Sequence, residues 1–414
     1  MLVYNIAVVG AGPAGCMAAI RASQLHQKVI LIERNDAMGK KLLLTGNGRC
    51  NITNSAPPEV FIRSFGEQGR FLKPAFFAFC NNRLIEFFNA YGLNFKTEEM
   101  GRVFPVTDQA ASVVHVLGKC LSDHKVTILF RARVVRVERN DGLFQLQITG
   151  GHNTNICARR VIVATGGVSY KQTGSSGDGF RIAQALGHTV VDLRPALVPL
   201  RIQEPWIKQL QGLSLKDARL IKRCSEKKVV SLRGELLFTH FGISGPLALD
   251  LSSTVVAALS ENPCTMLYLD LHPDVSHEEL HARLLSECSL GGKRQIKSVI
   301  RLFLAQRMVP VFLQLLDMDG DKRAHHIAKQ ERLRIAELLK HLPLMVTGSL
   351  PIDRAMVTNG GITTQEINAK TMESRLVPGL YFAGEIIDGC GKSGGFNLQQ
   401  AFSTGYLAGE KASA

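Results

Sequence analysis

Residues 5–33 read NIAVVGAGPAGCMAAIRASQLHQKVILIE, and this stretch decides the fold. Two short apolar runs, 5–9 and 28–32, predict buried strands, and the alanine-rich run 16–25 between them predicts a helix. The first strand leads into the helix through the turn GAGPAG, and Glu33 ends the second strand. A strand, a G-x-G-x-x-G turn, a helix, a strand and an acid in this order are typical of the βαβ unit that binds a dinucleotide.

The residue types in this unit each have a physical reason. Gly10 permits a tight turn, Gly12 lets a pyrophosphate approach the backbone, and Gly15 lets the helix pack close to the strand. The helix N-terminus offers free N–H groups to the phosphates, and Glu33 can accept both hydroxyls of an adenosine ribose. An acid there disfavours a 2′-phosphate, so FAD or NAD is favoured over NADP. The predicted cofactor contacts of this unit are Gly10, Gly12, Pro13, Ala14, Gly15, Glu33 and Arg34.

Two later segments favour FAD over NAD. Residues 160–167, RVIVATGG, and residues 379–385, GLYFAGE, each predict a buried strand that ends in small residues. Such strands resemble the supporting motifs of two-dinucleotide flavoproteins, in which the late acid, here Glu385, meets the ribityl-phosphate part of FAD. The chain has no second G-x-G-x-x-G, so NAD(P)H is expected to dock only transiently against the flavin. The predicted contacts of these strands are Ala164, Thr165, Gly166, Gly384 and Glu385.

The composition indicates a globular chain. Of 414 residues, 45% are hydrophobic and 20% are charged, which excludes a disordered chain and suffices for two or three domains. The nine cysteines include no C-x-x-C, which argues against a disulfide scaffold, a zinc ribbon and a disulfide reductase. The apolar N-terminus has no charge before Arg21 and is interrupted by glycines, so we expect neither a signal peptide nor a membrane span. We therefore expect a soluble cytoplasmic protein without a bound metal.

A surplus of positive charge remains, with 49 Lys and Arg against 35 Asp and Glu and a formal charge of +14. Three basic stretches fall in the middle of the chain, at Arg201–Lys228, Lys293–Arg307 and Lys322-Arg323. A cofactor's phosphates need only a helix end and about one arginine, so we expect this region to carry much of the surplus and to bind RNA. A merely solvated basic face stays open as the alternative, and aromatic residues are too scarce here for a base-stacking platform.

A longer segment carries a family resemblance. Residues 39–54, GKKLLLTGNGRCNITN, resemble the G-K-K-x-x-x-S/T-G-x-G-R-C-N-x-T-N signature of the BaiN/RdsA (YhiN-like) flavoproteins. The segments TGSSGDG at 173–179, GISGP at 242–246 and GGFNLQ at 394–399 match further landmarks, so the resemblance covers nearly the whole chain. The chain departs from the family at 388–391, where DGCG stands in place of the D-V-D-G or D-V-x-G of many relatives.

The resemblance and the residue patterns together imply an α/β fold built on a discontinuous Rossmann-type FAD-binding domain. Residues 1–188 and 350–414 are expected to form this domain. A β-rich inserted domain is expected over residues 189–274, with a return segment at 343–349, because short β-like runs there are broken by prolines and glycines. A helical inserted subdomain is expected over residues 275–342, where the apolar spacing is helical.

The same landmarks supply further candidate site residues. The Arg49 guanidinium can pair with a pyrophosphate through two N–H groups, and a helix opened by Gly394 and Gly395 would point its N-terminal dipole at reduced flavin. A hairpin with the turn N-D-G at 140–142 is predicted to bring the backbone of Val134 to the adenine. These further cofactor contacts are Lys41, Gly48, Arg49, Cys50, Asn51, Val134, Gly395, Asn397 and Leu398. The candidate proton donors are Cys50, Cys390 and His240.

The resemblance implies an FAD-dependent reductase, and two activities are associated with the family. One reduces a uridine of 23S rRNA to dihydrouridine, and the other reduces enone-type small molecules such as bile-acid intermediates. Because the chain is basic, we expect uridine reduction, with 23S rRNA or a ribosome assembly intermediate as partner and NAD(P)H as transient electron donor. Two alternatives stay open, an NAD(P)H-dependent ene-reductase of a small enone and a non-catalytic flavin-binding RNA assembly factor.

Overall fold

The chain forms two compact units in a computed structural model that describes residues 3–151, 154–223, 229–290 and 294–414. The first unit comprises Met1–Pro195 and Ile352–Ala414, and the second comprises Ala196–Pro351. The α/β architecture expected from the sequence is confirmed, whereas the residue-level domain boundaries stay predictions.

The elements of the first unit begin with the predicted strand, turn, helix and strand. Up to the second unit they are β1 (Val3–Val9), α1 (Pro13–Gln24), β2 (Val29–Ile32), β3 (Thr53–Asn54), α2 (Pro58–Ser64), α3 (Gly69–Ala78), α4 (Asn81–Asn89), β4 (Phe95–Thr97), β5 (Arg102–Pro105), α5 (Ala110–Asp123), β6 (Thr127–Leu129), β7 (Ala132–Asn140), β8 (Leu143–Gly150), β9 (Thr154–Val163), α6 (Asp178–Ala185) and β10 (Val190–Ala196).

The second unit then follows, and the chain returns to the first. The elements of the second unit are β11 (Leu200–Ile202), β12 (Ser214–Arg223), β13 (Val229–Phe238), β14 (Gly242–Ser244), α7 (Pro246–Leu259), β15 (Thr265–Asp270), α8 (His277–Leu290), α9 (Ile296–Ile300), α10 (Val309–Leu316), α11 (Lys329–Lys340) and β16 (Leu342–Ser349). The returning chain adds β17 (Val357–Ile362), β18 (Leu380–Phe382) and α12 (Phe396–Lys411) to the first unit.

A seven-stranded mixed sheet organises the first unit. Its order is β6-β2-β1-β9-β8-β7, and β18 also pairs with β9. The strands β6, β2, β1, β9 and β18 run parallel, whereas β7, β8 and β9 form an antiparallel meander. All four residues of β2 are buried, as expected for a parallel strand covered on both faces. The carboxyl ends of β1, β9 and β18 therefore meet at one edge, where an α/β sheet binds ligands.

The predicted hairpin is present in this meander. Asn140 pairs with Leu143, so Asp141 and Gly142 form a two-residue turn between β7 and β8. Both have positive φ angles, 50° and 78°, which match the right-handed twist of the flanking strands. The N-D-G signal was sufficient because a turn of this kind is decided by neighbouring residues.

The second unit is built on a closed six-stranded barrel. The strand order is β11-β14-β13-β12-β15-β16, and each strand pairs antiparallel with its neighbours. Side chains from the barrel and from α7 to α11 share one hydrophobic core. A buried ion pair fastens the last helix to the barrel, since Lys340 Nζ lies 2.7 Å from Asp270 Oδ2.

Positive charge is spread over both units, which corrects the expectation that the insertion carries much of the surplus. The second unit has 21 Lys and Arg against 16 Asp and Glu, a net charge of +5, and the first has 28 against 19, a net charge of +9. The expectation weighed the basic runs without the acids that the fold brings to them. Lys297, for example, lies 2.6 Å from Asp321, and Lys322 lies 2.7 Å from Glu331. Three cations of the runs lie outside the described residues: Lys227, Lys228 and Lys293.

Within the described ranges, no helix is long and apolar enough to cross a membrane. No group of three or more His, Cys, Asp or Glu side chains there could hold a metal ion.

Candidate cofactor and active site

The glycine-rich turn has the geometry of a phosphate cradle. Gly10 has a φ of +102°, and a Cβ there would lie 2.6 Å from the Ala164 carbonyl oxygen. A Cβ on Gly15 would lie 1.8 Å from the Gly10 carbonyl oxygen, so the helix packs against the turn as closely as glycine allows. A Cβ on Gly12 would meet no atom within 4 Å beyond its chain neighbours, and Pro13 begins α1 without a side-chain cap. The open face at Gly12 and the free N–H groups of α1 suit an anionic ligand.

Glu33 holds this turn from the end of β2. Its side chain is buried, and Oε2 accepts the Ala11 N–H at 2.8 Å. Oε1 accepts both the backbone N–H and the side-chain amide of Asn35, each at 2.8 Å. An ionised carboxylate has about four acceptor positions, so one remains for a ribose hydroxyl.

Arg34 faces an acid on α6. The Arg34 guanidinium donates to Asp178 Oδ2 at 3.1 Å and also to Ser176. Arg133 holds the same carboxylate through two bonds of 2.8 Å, and Arg181 pairs with it as well. Burial lowers the pKa of Arg34, and the neighbouring Arg133 lowers it further. Arg34 therefore ties the loop before α6 to the ribose end of the cradle.

The late acid, Glu385, joins three separate segments. Its Oε2 lies 2.6 Å from Lys41 Nζ, and its Oε1 accepts the Thr358 N–H at 2.7 Å. The Ser169 hydroxyl accepts a hydrogen bond from Lys41 Nζ at 2.7 Å and donates one to Glu385 Oε1 at 3.1 Å. A Cβ on Gly384 would lie 2.8 Å from the Ala14 Cβ, so this acid follows directly on a close contact with α1. The fold thus brings Lys41 and Glu385 together, as a common cofactor site requires.

One polar atom beside the cradle has no partner. The Thr165 hydroxyl is buried and makes no hydrogen bond, although buried hydroxyls almost always do. It follows Ala164, which packs on Gly10, and Gly166 continues the turn with a φ of +74°. Val134, the predicted adenine contact, lies buried in β7 just before a register shift. An orphan hydroxyl next to an open glycine face fits a bound dinucleotide.

The signature segment is anchored to the small sheet β3-β5-β4. Arg49 lies 2.6 Å from Glu98 and 3.1 Å from Asp108, and its guanidinium lies 3.9 Å from the Phe104 ring centroid. Asn51 Oδ1 accepts the Val103 N–H at 3.2 Å, and Gly48 has a φ of +83°. The cofactor contacts expected of Gly48, Arg49 and Asn51 stay predictions.

The start of α12 has the features of an anion-binding helix end. Gly395 has a φ of +98°, and a Cβ there would lie 2.2 Å from the Thr53 carbonyl oxygen. No side chain caps the helix. Asn397 Oδ1 accepts the Gly391 N–H at 2.8 Å, and Asn397 Nδ2 donates back to the Gly391 carbonyl at 3.0 Å. Leu398 is partly buried and packs on the main core. Residues 389–395, GCGKSGG, form a glycine-rich segment that leads into this helix. The sixteen-residue helix therefore presents unused N–H groups beside the glycine-rich segment.

The three candidate proton donors lie in different surroundings. Cys50 is fully buried with a φ of +66°, and burial raises the pKa of its thiol to about 12. Cys390 is partly exposed. His240 lies in the second unit, and its ring packs edge-on against Phe241 at 4.9 Å. Their catalytic roles stay predictions.

Some residues of this region were missed from the sequence. Ser169 and Thr358 bind Glu385 or its partner, but isolated hydroxyl residues carry no sequence signal. Asp388 is half-buried, and no sequence signal singled it out, because the chain keeps the family's aspartate at 388 and departs from the pattern only at 389 and 390.

Comparisons with known proteins cover the whole chain. The family profile described as "HI0933-like protein Rossmann domain" matches residues 4–411. The chain is 31% identical to a 3-dehydro-bile acid delta(4,6)-reductase of Clostridium scindens, over 99% of this chain and 98% of that protein. It is 29% identical to a ribosomal RNA dihydrouridine synthase of Escherichia coli (98% and 97% covered) and 30% identical to one of Haemophilus influenzae (96% of each).

Solved structures share the fold. A 3-ketosteroid delta1-dehydrogenase from Sterolibacterium denitrificans superposes with a TM-score of 0.55 at 12% identity, covering 100% of both chains. A flavocytochrome c3 fumarate reductase gives 0.54 at 14% identity, covering 99% of this chain and 78% of that one. With the family profile matched over nearly its full length, the chain belongs to the HI0933-like Rossmann-domain family of flavin-dependent oxidoreductases.

Proposed function

We propose that the protein is an FAD-dependent reductase that converts a uridine of 23S rRNA to dihydrouridine. The observation that carries the proposal is the full-length similarity to two proteins named ribosomal RNA dihydrouridine synthase. The cradle supports the cofactor, because an open glycine face, a ribose-side carboxylate and an orphan hydroxyl meet at one edge of the sheet. Bound FAD would supply a hydride to the β-carbon of a C=C bond conjugated to a carbonyl.

The residues proposed to hold FAD divide by the part of the cofactor they face. The glycine-rich turn and the start of α1 would hold the pyrophosphate, Glu33 the ribose, and Glu385 with Lys41 the ribityl chain. The start of α12 would face the isoalloxazine, and its unused N–H groups and dipole would stabilise negative charge on the reduced ring. The chain offers one dinucleotide fingerprint, so NAD(P)H is proposed to dock transiently as the electron donor.

Exposed cations of the second unit are proposed to contact the RNA backbone. Lys208, Lys216 and Arg301 are exposed and have no ion-pair partner in the described part of the chain. In contrast, Arg233 is neutralised by both Asp217 and Asp274, each at 2.6 Å. Unpaired lysines and arginines attract phosphates, whereas paired ones have already found a counter-charge.

The test is modification mapping of 23S rRNA from cells with and without the gene. We expect one dihydrouridine to disappear when the gene is absent and to return with a plasmid copy. A plasmid copy that carries Glu33→Ala is the matched control, because it should fold yet bind FAD poorly. An rRNA that is unchanged in all strains would contradict the proposal.

A second candidate function has its own support. The 31% identity to a bile-acid reductase favours reduction of a small enone by the same chemistry, since uracil C5=C6 is also conjugated to a carbonyl. Anaerobic mixing of the reduced protein with either an rRNA transcript or a steroid enone separates the two. Flavin reoxidation by the enone alone would favour the small-molecule function, and reoxidation by neither would favour a non-catalytic RNA assembly factor.

A further inference from the structure

Asp388 lies at the start of the glycine-rich segment that leads into α12. It follows Glu385 by three residues and precedes Gly389, which has a φ of +116°. The Asp388 N–H donates to the Ile362 carbonyl at 3.0 Å, which fixes the backbone against the end of β17. The side chain is about half-buried. Along the chain, Asp388 thus lies between the acid proposed for the ribityl chain and the helix proposed for the flavin ring.

The carboxyl group has an amide partner and no cation. Gln68 Nε2 donates to Asp388 Oδ2 at 2.8 Å, and Gln68 Oε1 accepts the Thr364 hydroxyl at 3.0 Å. No lysine, arginine or histidine within the described ranges forms an ion pair with Asp388. The Gln68 side chain packs closely on Gly389, since a Cβ there would lie 2.8 Å from the Gln68 Cγ. Asp388 is therefore positioned by a neutral, doubly anchored side chain.

An aromatic wall joins this pair to the start of α12. Phe65, three residues before Gln68, packs on Gly391, where a Cβ would lie 2.7 Å from its ring. Phe65 belongs to one apolar cluster with Phe76 and with Phe396, the first residue of α12. Gln68, the glycine-rich segment and the helix start therefore form one continuous wall. Asp388 is joined through Gln68 to this wall, which ends at the helix start proposed for the flavin ring.

We propose that Asp388 is the proton donor of the reduction and that Gln68 is its positioning residue. This inference rests on the proposed function. When a hydride adds to the β-carbon, the C=C electron pair moves to the α-carbon and its carbonyl. The O–H bond of protonated Asp388 then breaks, and the new C–H bond forms at the α-carbon. Asp388 is left as a carboxylate and regains a proton from water, so one hydride and one proton enter the substrate.

The electrostatics of the site agree with this role. Burial raises the pKa of the Asp388 carboxyl above its ordinary value, and a hydrogen bond from the Gly389 N–H only partly opposes this. A bound flavin and substrate would remove further water and favour the protonated form again. The thiol of Cys50, whose pKa is about 12, holds its proton far more tightly and is the weaker acid.

The experiment separates the two half-reactions in the FAD-loaded protein. Asp388→Asn keeps the size of the side chain but removes the acidic proton, and Asp388→Glu restores a carboxyl group. Asp192→Asn, at a site 89% exposed, is the matched control. We expect reduction of the flavin by NAD(P)H to be unchanged in all three. Anaerobic reoxidation by a 23S rRNA transcript should slow ~100-fold or more in Asp388→Asn and recover partly in Asp388→Glu.

A second readout does not depend on turnover. As the pH is lowered, infrared spectroscopy of the protein should show the carbonyl stretch of a protonated carboxyl appear, and this band should be lost in Asp388→Asn and kept in Asp192→Asn. In Gln68→Met the amide donor to the carboxylate is gone, so the pH at which this band disappears should move upward. The rate of flavin reoxidation should fall over the same, higher pH range.

The outcomes distinguish this inference from the proposed function. Reduced wild-type protein that no rRNA transcript reoxidises contradicts the proposed function. Wild-type reoxidation that Asp388→Asn matches, with flavin content and circular dichroism intact, overturns the role of Asp388 alone. An infrared band that survives in Asp388→Asn overturns it as well.

Discussion

At the scale of single residues, Glu33 links the local turn to ligand binding. Its carboxylate accepts the Ala11 N–H and two donors from Asn35, and it still has acceptor capacity toward the open side of the turn. The same atoms therefore shape the cradle and are proposed to bind the ribose. This explains why the fingerprint requires an acid there and why an alanine would harm both roles.

Glu33→Ala should weaken FAD binding by ~10- to 100-fold, because bonds to a charged acceptor are worth ~1.5–3 kcal/mol. Flavin fluorescence titration of the apoprotein measures the change. Asp36→Ala is the control, since Asp36 is largely exposed and, among the described residues, forms an ion pair with Lys40 alone. Equal affinity in Glu33→Ala and the wild type would contradict the assignment of Glu33 to the ribose.

Cys50 should be the slower of two cysteines to react with iodoacetamide. The thiolate is the nucleophile, and burial raises the pKa of Cys50 to about 12, so only ~1 in 10,000 thiols is ionised at pH 8. Cys264 is exposed and serves as the comparison in the same sample. Mass spectrometry after a short pulse should find Cys264 labelled first, and both should label alike in urea. Equal rates in the folded protein would show that Cys50 is accessible.

The Asp388 carboxyl should lower the free energy of unfolding at neutral pH. Its folded pKa is raised above the unfolded one, so the folded state binds the proton more tightly and stability falls as pH rises through that raised pKa. Asp388→Asn removes this loss. The variant should melt at or below the wild-type temperature in acid and above it at neutral pH, as differential scanning fluorimetry can test. A difference in melting temperature that does not change with pH would contradict this.

At the scale of elements, the close contact of α1 and α12 supports the cradle. A Cβ on Gly405 would lie 2.2 Å from the Ala14 carbonyl oxygen, and a Cβ on Gly409 would lie 2.4 Å from that of Ala18. Small residues at four-residue spacing thus let the two backbones touch. Because α1 begins at the glycine-rich turn, the position of α12 also determines the position of the phosphate-binding N–H groups.

Gly405→Ala should lower the free energy of unfolding by ~1–3 kcal/mol, because the added methyl group meets backbone that cannot move aside. FAD affinity should fall with it. Gly118→Ala in α5 is the matched control, since its Cβ would lie 3.7 Å from Met38 Cε, an ordinary contact. That control should be neutral or gain ~0.5–1 kcal/mol from helix propensity. Urea unfolding measures both, and similar changes in the two variants would refute the close-packing explanation.

At the scale of the whole molecule, the charge is a property of both units and not of the insertion alone. The first unit has a net charge of +9 and the second +5. Acids of the second unit neutralise several of its cations, as Asp321 does for Lys297. An RNA partner is therefore expected to contact unpaired cations selectively instead of following the basic runs of the sequence.

Replacing Lys208, Lys216 and Arg301 by alanine should reduce the slope of log affinity against log salt for an rRNA transcript by ~2–3. Each unpaired cation that contacts a phosphate releases about one counterion. Lys297→Ala with Lys322→Ala is the control, and its slope should change less because both lysines are already ion-paired. Filter binding at several salt concentrations gives the slopes. Equal changes of slope in the two variants would contradict a selective contact of the RNA with the three unpaired cations.

The features that could be predicted from the sequence lie within short, contiguous stretches. The strand–turn–helix–strand unit at 5–33 and the hairpin turn at 141–142 were predictable because glycine conformations and hydrophobic periods depend on neighbouring residues. The motif at 39–54 identified the family for the same reason, because a contiguous motif can be recognised without knowledge of the fold. These features carry the cofactor class and the α/β architecture.

Only the tertiary structure decided which distant side chains meet. Lys41 and Glu385 are 344 positions apart and bond because β18 returns to pair with β9. The barrel closes through pairings such as β11 with β16, which no local pattern specifies. Burial and ion pairing likewise depend on neighbours brought in by the fold. For this reason Asp388 became a candidate acid, and many cations of the insertion proved to be neutralised, only once the chain was seen in three dimensions.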